Sequence, residues 1–164
     1  MKRNLILLLS LLLATLLVCG CGGSDNSTPS DAGPVLKNTT LTVSFQGPGG
    51  HSNGAYGNTN AVHAAGRGIQ KIIDKTTALS TTGVSNNITG YNGGNSVNSI
   101  ASDASYVIQL YAPSDETLAS YKADIIAAIN ASVDEENSFR NVIAGTTMTG
   151  GVPAWIRVQV AIAK

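Results

Sequence analysis

One histidine lies where a side chain could do chemistry. His51 belongs to GPGGHSNGAYGNTNAVHAA, residues 47–65, between a segment with the pattern of a strand and one with the pattern of a helix, and the chain has only two histidines. An imidazole can donate, accept or exchange a proton near neutral pH. The stretch therefore indicates either a site that needs an imidazole on a flexible backbone or a hydrogen-bonded turn residue.

Several other kinds of site are disfavoured by the same residues. Ser52 is next to His51, but adjacency in sequence does not create a Ser-His-Asp triad. The glycine cluster 47–50 lacks the lysine and the spacing of a phosphate-binding loop. Ten basic residues balance ten acidic ones, and no basic patch indicates a nucleic-acid partner.

The N-terminal residues have the pattern of a secretory signal. Lys2 and Arg3 precede the apolar run 5–18, which is shorter than the roughly 20 residues of a membrane span. Val18-Cys19-Gly20-Cys21 resembles a bacterial lipobox, which implies cleavage before Cys21 and lipidation of its thiol. The alternative is an ordinary signal peptide with two incidental cysteines.

We therefore expect three segments. Residues 1–21 form a lipoprotein signal peptide, and residues 22–39, rich in Gly, Ser, Asp, Asn and Pro, form a flexible tether. Residues 40–164 form one folded domain. The lipid would hold this domain in the bacterial cell envelope, on the periplasmic or surface side of a membrane.

Within the folded part, hydrophobic periodicity predicts six elements. Alternating residues predict strands and 3.6-residue spacing predicts helices: a strand around Leu41–Phe45, a helix over 59–74 capped by Asn58, strands over 84–91 and 104–110, a helix capped by Ser114, and a strand over 156–162. This order is the ferredoxin-like βαββαβ pattern. We expect an α+β fold, with two helices on one face of a four-stranded antiparallel sheet.

Some side chains have a plain structural interpretation. Gly66 and Gly68 would weaken their helix and would be retained for a close approach to a neighbour. His63 lies away from the apolar stripe and is expected to be solvated. The acidic run Asp134-Glu135-Glu136 is expected at a solvated helix terminus, after the helix has ended. Tyr111 and Trp155 are expected to pack.

The segment LTVSFQGPGGHSNGAYGNTNAVHAAGRGIQKIID, residues 41–74, resembles the start of the dimerisation, or lid, domain of di-zinc exopeptidases and amidohydrolases. These are enzymes of the aminoacylase, carboxypeptidase and succinyl-diaminopimelate desuccinylase type. The positions that fit the family pattern are Gly47, Gly50, His51, Ser52, Gly57, Asn60, Ala61 and Val62. GGNSVNSIASDASYVIQLYAP resembles its second half, with Asn98 and Ile100 in place, so the resemblance covers about 40–162.

The resemblance implies roles for two residues. The histidine would reach across a dimer interface and stabilise the developing oxyanion at the partner's zinc site, and the asparagine would contact substrate. His51 and Asn98 inherit those expectations, although Asn98 also suits a hairpin turn and Asn60 suits a helix start. Tyr111 or a neighbour occupies the place where the family often has arginine.

The zinc-binding catalytic domain of that family is not found in the sequence. No His-x-Asp ligand pair occurs, so we expect no metal, no other cofactor and no catalytic residue belonging to this chain alone. The main hypothesis is a non-catalytic, lipid-anchored dimerisation or interaction module that forms a homodimer.

Three alternatives remain open. The chain could supply His51 in trans to a separate zinc hydrolase, or regulate such an enzyme by competing for its dimer surface. It could be a ligand-binding or adhesive surface lipoprotein in which the histidine loop is structural. It could also be the product of a truncated gene.

Overall fold

The computed structural model describes residues 35–163. The expected signal peptide with Cys21, and residues 22–34 of the expected tether, lie outside the described residues. The elements are β1 (Lys37–Gln46), β2 (Gly50–His51), α1 (Ala61–Ala78), β3 (Ser85–Gly93), β4 (Ser99–Ile100), β5 (Asp103–Ala112), α2 (Asp115–Phe139) and β6 (Arg157–Ile162). A short 3-10 turn, Ser80–Thr82, follows α1.

The four longer strands form one antiparallel sheet in the order β3-β5-β1-β6. α1 connects β1 toward β3, and α2 connects β5 to β6, which is the ferredoxin-like βαββαβ topology. The expected α+β fold class is confirmed. β1 begins at Lys37, opposite Ala112 of β5, so the expected tether 22–39 overlaps its first residues.

Alternation along the two central strands builds the core. Leu41, Val43 and Phe45 of β1 are at most 1% exposed. Their partners across the sheet on β5 are Ile108, Tyr106 and Ala104, which are also buried. The helices add further large buried side chains, Ile72 from α1 and Tyr121, Ile125 and Ile129 from α2.

The opposite face of the sheet is polar, as its sequence predicts. Thr42, Gln109 and Gln159 are exposed, and Ser44 and Arg157 are half-buried. The apolar interior therefore lies on the helix side of the sheet.

The first helix starts later than its pattern predicts. Its N-cap is Asn60, whose side-chain oxygen accepts hydrogen bonds from the N–H groups of Val62 and His63. Asn58, the expected cap, instead donates its amide to the carbonyl of Gly49. Residues 58–60 are all polar, so helical periodicity alone could not choose the cap. The second helix begins as expected, because Ser114 accepts from the N–H of Thr117.

Gly68 makes the close approach that was expected of it, and Gly66 does not. A Cβ atom on Gly68 would lie 2.7 Å from the Tyr106 hydroxyl and 3.2 Å from Ser132 Oγ, whereas one on Gly66 would have nothing within 4 Å. The buried Tyr106 hydroxyl has no hydrogen-bond partner among the described residues. Burial raises its pKa and keeps the phenol protonated.

No helix between residues 35 and 163 combines the length and apolarity needed to cross a bilayer.

The two helix glycines give a matched test of packing. Gly68→Ala should lower the free energy of unfolding by about 1–3 kcal/mol, because the new methyl group overfills the contact with Tyr106. Gly66→Ala should raise it by about 0.5–1 kcal/mol, because alanine favours a helix and the site is open. Urea denaturation followed by circular dichroism measures both, and equal effects of the two changes would contradict this packing.

Candidate functional site

A glycine turn places His51. After β1, the N–H of Gly47 donates to the carbonyl of Ser102 at 2.8 Å, which ties the turn to the approach to β5. Gly50 has φ +133, and a Cβ atom there would lie 2.5 Å from the Cβ of Ala55. Glycine is thus required for both conformation and space directly before the histidine.

A two-residue strand pair joins the histidine loop to the distant asparagine loop. In the β2–β4 pair, Gly50 lies opposite Ile100 and His51 opposite Ser99. The N–H of Ser52 donates to the carbonyl of Asn98 at 2.9 Å. This pairing brings together the two residues singled out by the sequence, with His51 Nε2 3.3 Å from the Asn98 carboxamide nitrogen.

The backbone selects the tautomer of His51. The N–H of Asn53 donates to His51 Nδ1 at 3.2 Å, so in a neutral imidazole the proton resides on Nε2. An Nε2–H donor is satisfied when Asn98 presents its amide oxygen, and the two ends of a carboxamide exchange by a half-turn. The hydroxyl of Ser96 bonds to the end of the Asn98 carboxamide that faces away from His51. A hydroxyl can donate or accept, so it suits either orientation of the carboxamide.

The pair lies at an open, uncharged depression. Its volume is about 350 Å³, and its walls include the glycine turn, His51, Asn95, Asn98, Ser99 and Ser102. Both His51 and Asn98 are exposed. Chemically, the site offers one N–H donor from an imidazole and several neutral amide and hydroxyl groups, which suits a carbonyl oxygen or an amide.

A family model described as the peptidase dimerisation domain matches residues 37–137. The chain belongs to this family. The resemblance carried by the glycine-histidine stretch is thus confirmed, and β6 follows the matched residues.

Solved structures share the fold of this dimerisation domain. Amidases of the hydantoinase/carbamoylase family from Burkholderia vietnamiensis and Burkholderia ambifaria match with TM-scores of 0.60 and 0.58, at 12% and 13% identity. The matches cover 77% and 79% of this chain but 27% and 28% of theirs. An aminobenzoyl-glutamate utilization protein from Klebsiella pneumoniae matches with a TM-score of 0.54 at 16% identity, covering 77% of this chain and 28% of its own.

The chain therefore spans little more than a quarter of the length of these structures. At such identities the likeness shows the fold alone. No curated protein gives a significant match.

The acidic run Asp134-Glu135-Glu136 differs in one respect from its expected place at a solvated helix terminus. α2 continues to Phe139, and Glu136 is completely buried, although Asp134 and Glu135 are exposed as expected. The prediction of a solvated terminus was wrong for Glu136 because its burial depends on partners from α1, which the local sequence does not reveal.

Glu136 connects the two helices by charged hydrogen bonds. Its Oε1 accepts from the N–H of Asn60 at 3.1 Å and from Arg140 Nε at 3.3 Å, and its Oε2 accepts from Arg67 Nε at 3.2 Å. The carboxylate thus satisfies a backbone donor at the start of α1. Glu135 bonds Arg67 and Lys71, and the Lys71 ammonium holds the pKa of Glu135 below its usual value.

The residue after Glu136 fixes the other loop at this end. Asn137 donates its amide to the carbonyl of Ile156 and accepts from the N–H of Ile156. Thr59 also donates to the carbonyl of Ala154 at 2.9 Å. The sequence analysis did not single out Asn137 as a positioning residue. The available signal was the adjacent polar pair Glu136 and Asn137 in a helix whose other inward residues are mostly apolar.

The remaining candidates lie apart from the depression. His63 is half exposed and its Nδ1 lies 3.3 Å from Arg140 Nη2 and 3.9 Å from Glu136 Oε1, so it contacts the buried ion pairs as well as solvent. Tyr111, near the far end of β5, donates to Gln109 and is half-buried, as is Trp155.

Between Val35 and Ala163, no three His, Cys, Asp or Glu side chains are grouped so that they could hold a metal ion.

Proposed function

We propose that this chain is a dimerisation module that pairs with a second copy of itself through a free edge of its sheet. The supporting observation is that each outer strand, β3 and β6, has a strand partner on only one side within the described residues. Unpaired edges are templates for another chain unless they are blocked. Membership of the dimerisation domain family supports the same use.

The β6 edge is regular. The N–H of Ala163 donates to the carbonyl of Thr40 at 2.9 Å, so these two residues form a hydrogen-bonded pair. Bonded and non-bonded pairs alternate along antiparallel strands. The N–H groups of Val158, Val160 and Ile162 therefore point away from β1, toward the free edge.

The β3 edge is longer and irregular. Leu41 and Ile162 of β6 form a non-bonded pair, so the N–H of Leu41 faces β5 and its partner there, Ile108. The N–H of Ile108 therefore faces β1. Because Ile88 lies opposite Ile108, the N–H of Ile88 points outward from β3. The ladder then shifts register between Thr89 and Asn92, and a bulge of this kind limits how many residues can pair across an edge. Either edge offers outward N–H groups that a second copy could use.

We further propose that the module is lipid-anchored in the cell envelope and has no turnover of its own. Residues 1–21 would be the signal peptide, Cys21 the lipidated residue, and the following segment, counted as 22–39 from composition, a tether to the domain. The lipobox-like sequence before Cys21 supports the anchor. The confinement of the family match to a dimerisation domain supports the non-catalytic role.

The geometry at His51 favours a second candidate function. A separately encoded zinc hydrolase could use this side chain in trans, because the bond from Asn53 places the proton on Nε2 and an oxyanion could replace the exposed Asn98 carboxamide as its acceptor. Such a donor, held on a fixed turn, is suited to stabilising an oxyanion. We propose this accessory role as the alternative to a purely structural dimer.

Proline substitutions test the dimer. The wild-type chain should be dimeric by analytical ultracentrifugation, and either Val160→Pro or Ile88→Pro should be monomeric, because proline removes an outward N–H without breaking an existing ladder bond. The variant at the edge that is not used is the matched control and should remain dimeric. A monomeric wild type, or two folded variants that both stay dimeric, would contradict the proposal.

Cysteine substitutions test the anchor. In bacteria fed an alkyne-labelled fatty acid, Cys21→Ser should lose labelling and leave the membrane fraction, because the thioether cannot form. Cys19→Ser, two residues away, should keep both. Labelling that survives Cys21→Ser would show that Cys21 is not the lipidated residue.

Histidine substitutions test the accessory role. Membranes from cells lacking this protein should gain zinc-dependent hydrolysis of N-acyl amino acids when the purified chain is added. His51→Ala should reduce that gain by about 10²-fold or more, the usual effect of losing an oxyanion donor. His63→Ala is the matched control. Equal stimulation by His51→Ala, or none by the wild type, would refute the role.

A further inference from the structure

The chain contains two Asn-Gly pairs, and the asparagine of each is exposed. They are Asn53-Gly54 in the histidine loop and Asn92-Gly93 at the end of β3. At such a pair the backbone nitrogen of the glycine can attack the side chain of the asparagine, because glycine has no Cβ to obstruct the approach. Sequence and exposure are the same at both places, so the backbone environment decides which pair reacts.

The sheet restrains the pair in β3. Asn92 lies opposite Ser105 and Gly93 opposite Ala104 in the ladder with β5. A Cβ atom on Gly93 would lie 2.9 Å from the Cβ of Ala104 and 2.8 Å from a methyl carbon of Val62, so the backbone here is closely packed. Attack requires the Asn92 backbone to rotate until its side chain meets the next nitrogen, and the ladder must open first.

The pair in the histidine loop is restrained only by the bonds of a turn. The N–H groups of Gly54 and Ala55 donate to the carbonyl of His51 at 3.1 and 2.8 Å, and the N–H of Asn53 donates to His51 Nδ1. Asn53 and Gly54 lie outside the strands, and a Cβ atom on Gly54 would have nothing within 4 Å. This pair can therefore rotate without opening a ladder.

We propose that Asn53 is a site of spontaneous deamidation. The Gly54 nitrogen forms a bond to the side-chain carbonyl carbon of Asn53, and the bond from that carbon to its amide nitrogen breaks. The proton of the Gly54 N–H, relayed by water, leaves with the amide nitrogen as ammonia. Water then opens the resulting succinimide at either carbonyl and gives aspartate or isoaspartate. The reaction needs neither a second copy, nor a lipid anchor, nor a partner enzyme.

The product places a fixed charge near His51. Residues 47–62, 84–102 and 141–156 contain no Asp, Glu, Lys or Arg. These segments include the histidine loop, the asparagine loop and the loop before β6, which contact one another through Ser52–Asn98 and Thr59–Ala154. A carboxylate at position 53 gives this end of the fold a negative charge, and isoaspartate also lengthens the backbone of the turn by one carbon atom.

Ageing of the purified full chain at neutral pH tests the site. Trypsin separates the two pairs into peptides 38–67 and 76–122, and mass spectrometry follows the conversion of carboxamide to carboxylate in each peptide. In the folded chain Asn53 should convert at least about tenfold faster than Asn92, because Asn92 reacts only in the small population whose ladder is open.

Two controls separate the effect of the fold from that of the sequence. In guanidinium chloride both pairs should convert at similar rates, because the unfolded chain restrains neither. Gly54→Ala should slow the reaction of Asn53 in the folded chain, because its Cβ obstructs the attacking nitrogen and the open site accommodates it. The NMR signals of the His51 imidazole should shift as Asn53 converts, and those of His63 should not.

Three results would contradict this assignment. Equal rates for Asn53 and Asn92 in the folded chain, or no reaction of Asn53 when both react in guanidinium chloride, would show that the histidine loop is not the reactive site. Unchanged conversion in Gly54→Ala would exclude attack by the Gly54 nitrogen. Conversion of Asn53 with no change in the His51 signals would overturn the effect on the histidine.

Discussion

A single buried carboxylate determines how the two helices meet. Glu136 has no exposed surface, and three hydrogen bonds from Asn60, Arg67 and Arg140 compensate for its removal from water. Breaking one side of a buried ion pair typically costs about 3–5 kcal/mol. The start of α1, the end of α2 and the loop leading into α1 are consequently defined together.

The site follows from that arrangement. Once Asn60 caps α1, the preceding residues have fixed partners: Asn58 bonds to Gly49 and Thr59 bonds to Ala154. The turn before His51 is then closed by Gly47 on one side and by Asn58 on the other. A short strand pair adds Asn98, so residues from opposite halves of the sequence share one surface.

Periodicity was sufficient to predict the fold, because apolar alternation in β1 and β5 and helical spacing in α2 are strong local signals. The glycine-histidine motif was sufficient to single out His51, and its resemblance to a family singled out Asn98. Their contact required β2 and β4, two strands of only two residues each, which no periodicity can reveal. The burial of Glu136 was not predicted for a similar reason. The acidic run Asp134-Glu135-Glu136 indicates solvated carboxylates, and burial of Glu136 becomes favourable only when α1 brings Arg67 against it.

The three hydrogen bonds that fix the histidine loop have a consequence for association. A loop that becomes ordered only on binding loses conformational entropy, and this loss weakens the complex. Here the backbone around His51 is already held by Gly47 to Ser102, Ser52 to Asn98 and Asn58 to Gly49. A binding partner would therefore meet a surface whose freedom was lost during folding, and a weak contact could suffice.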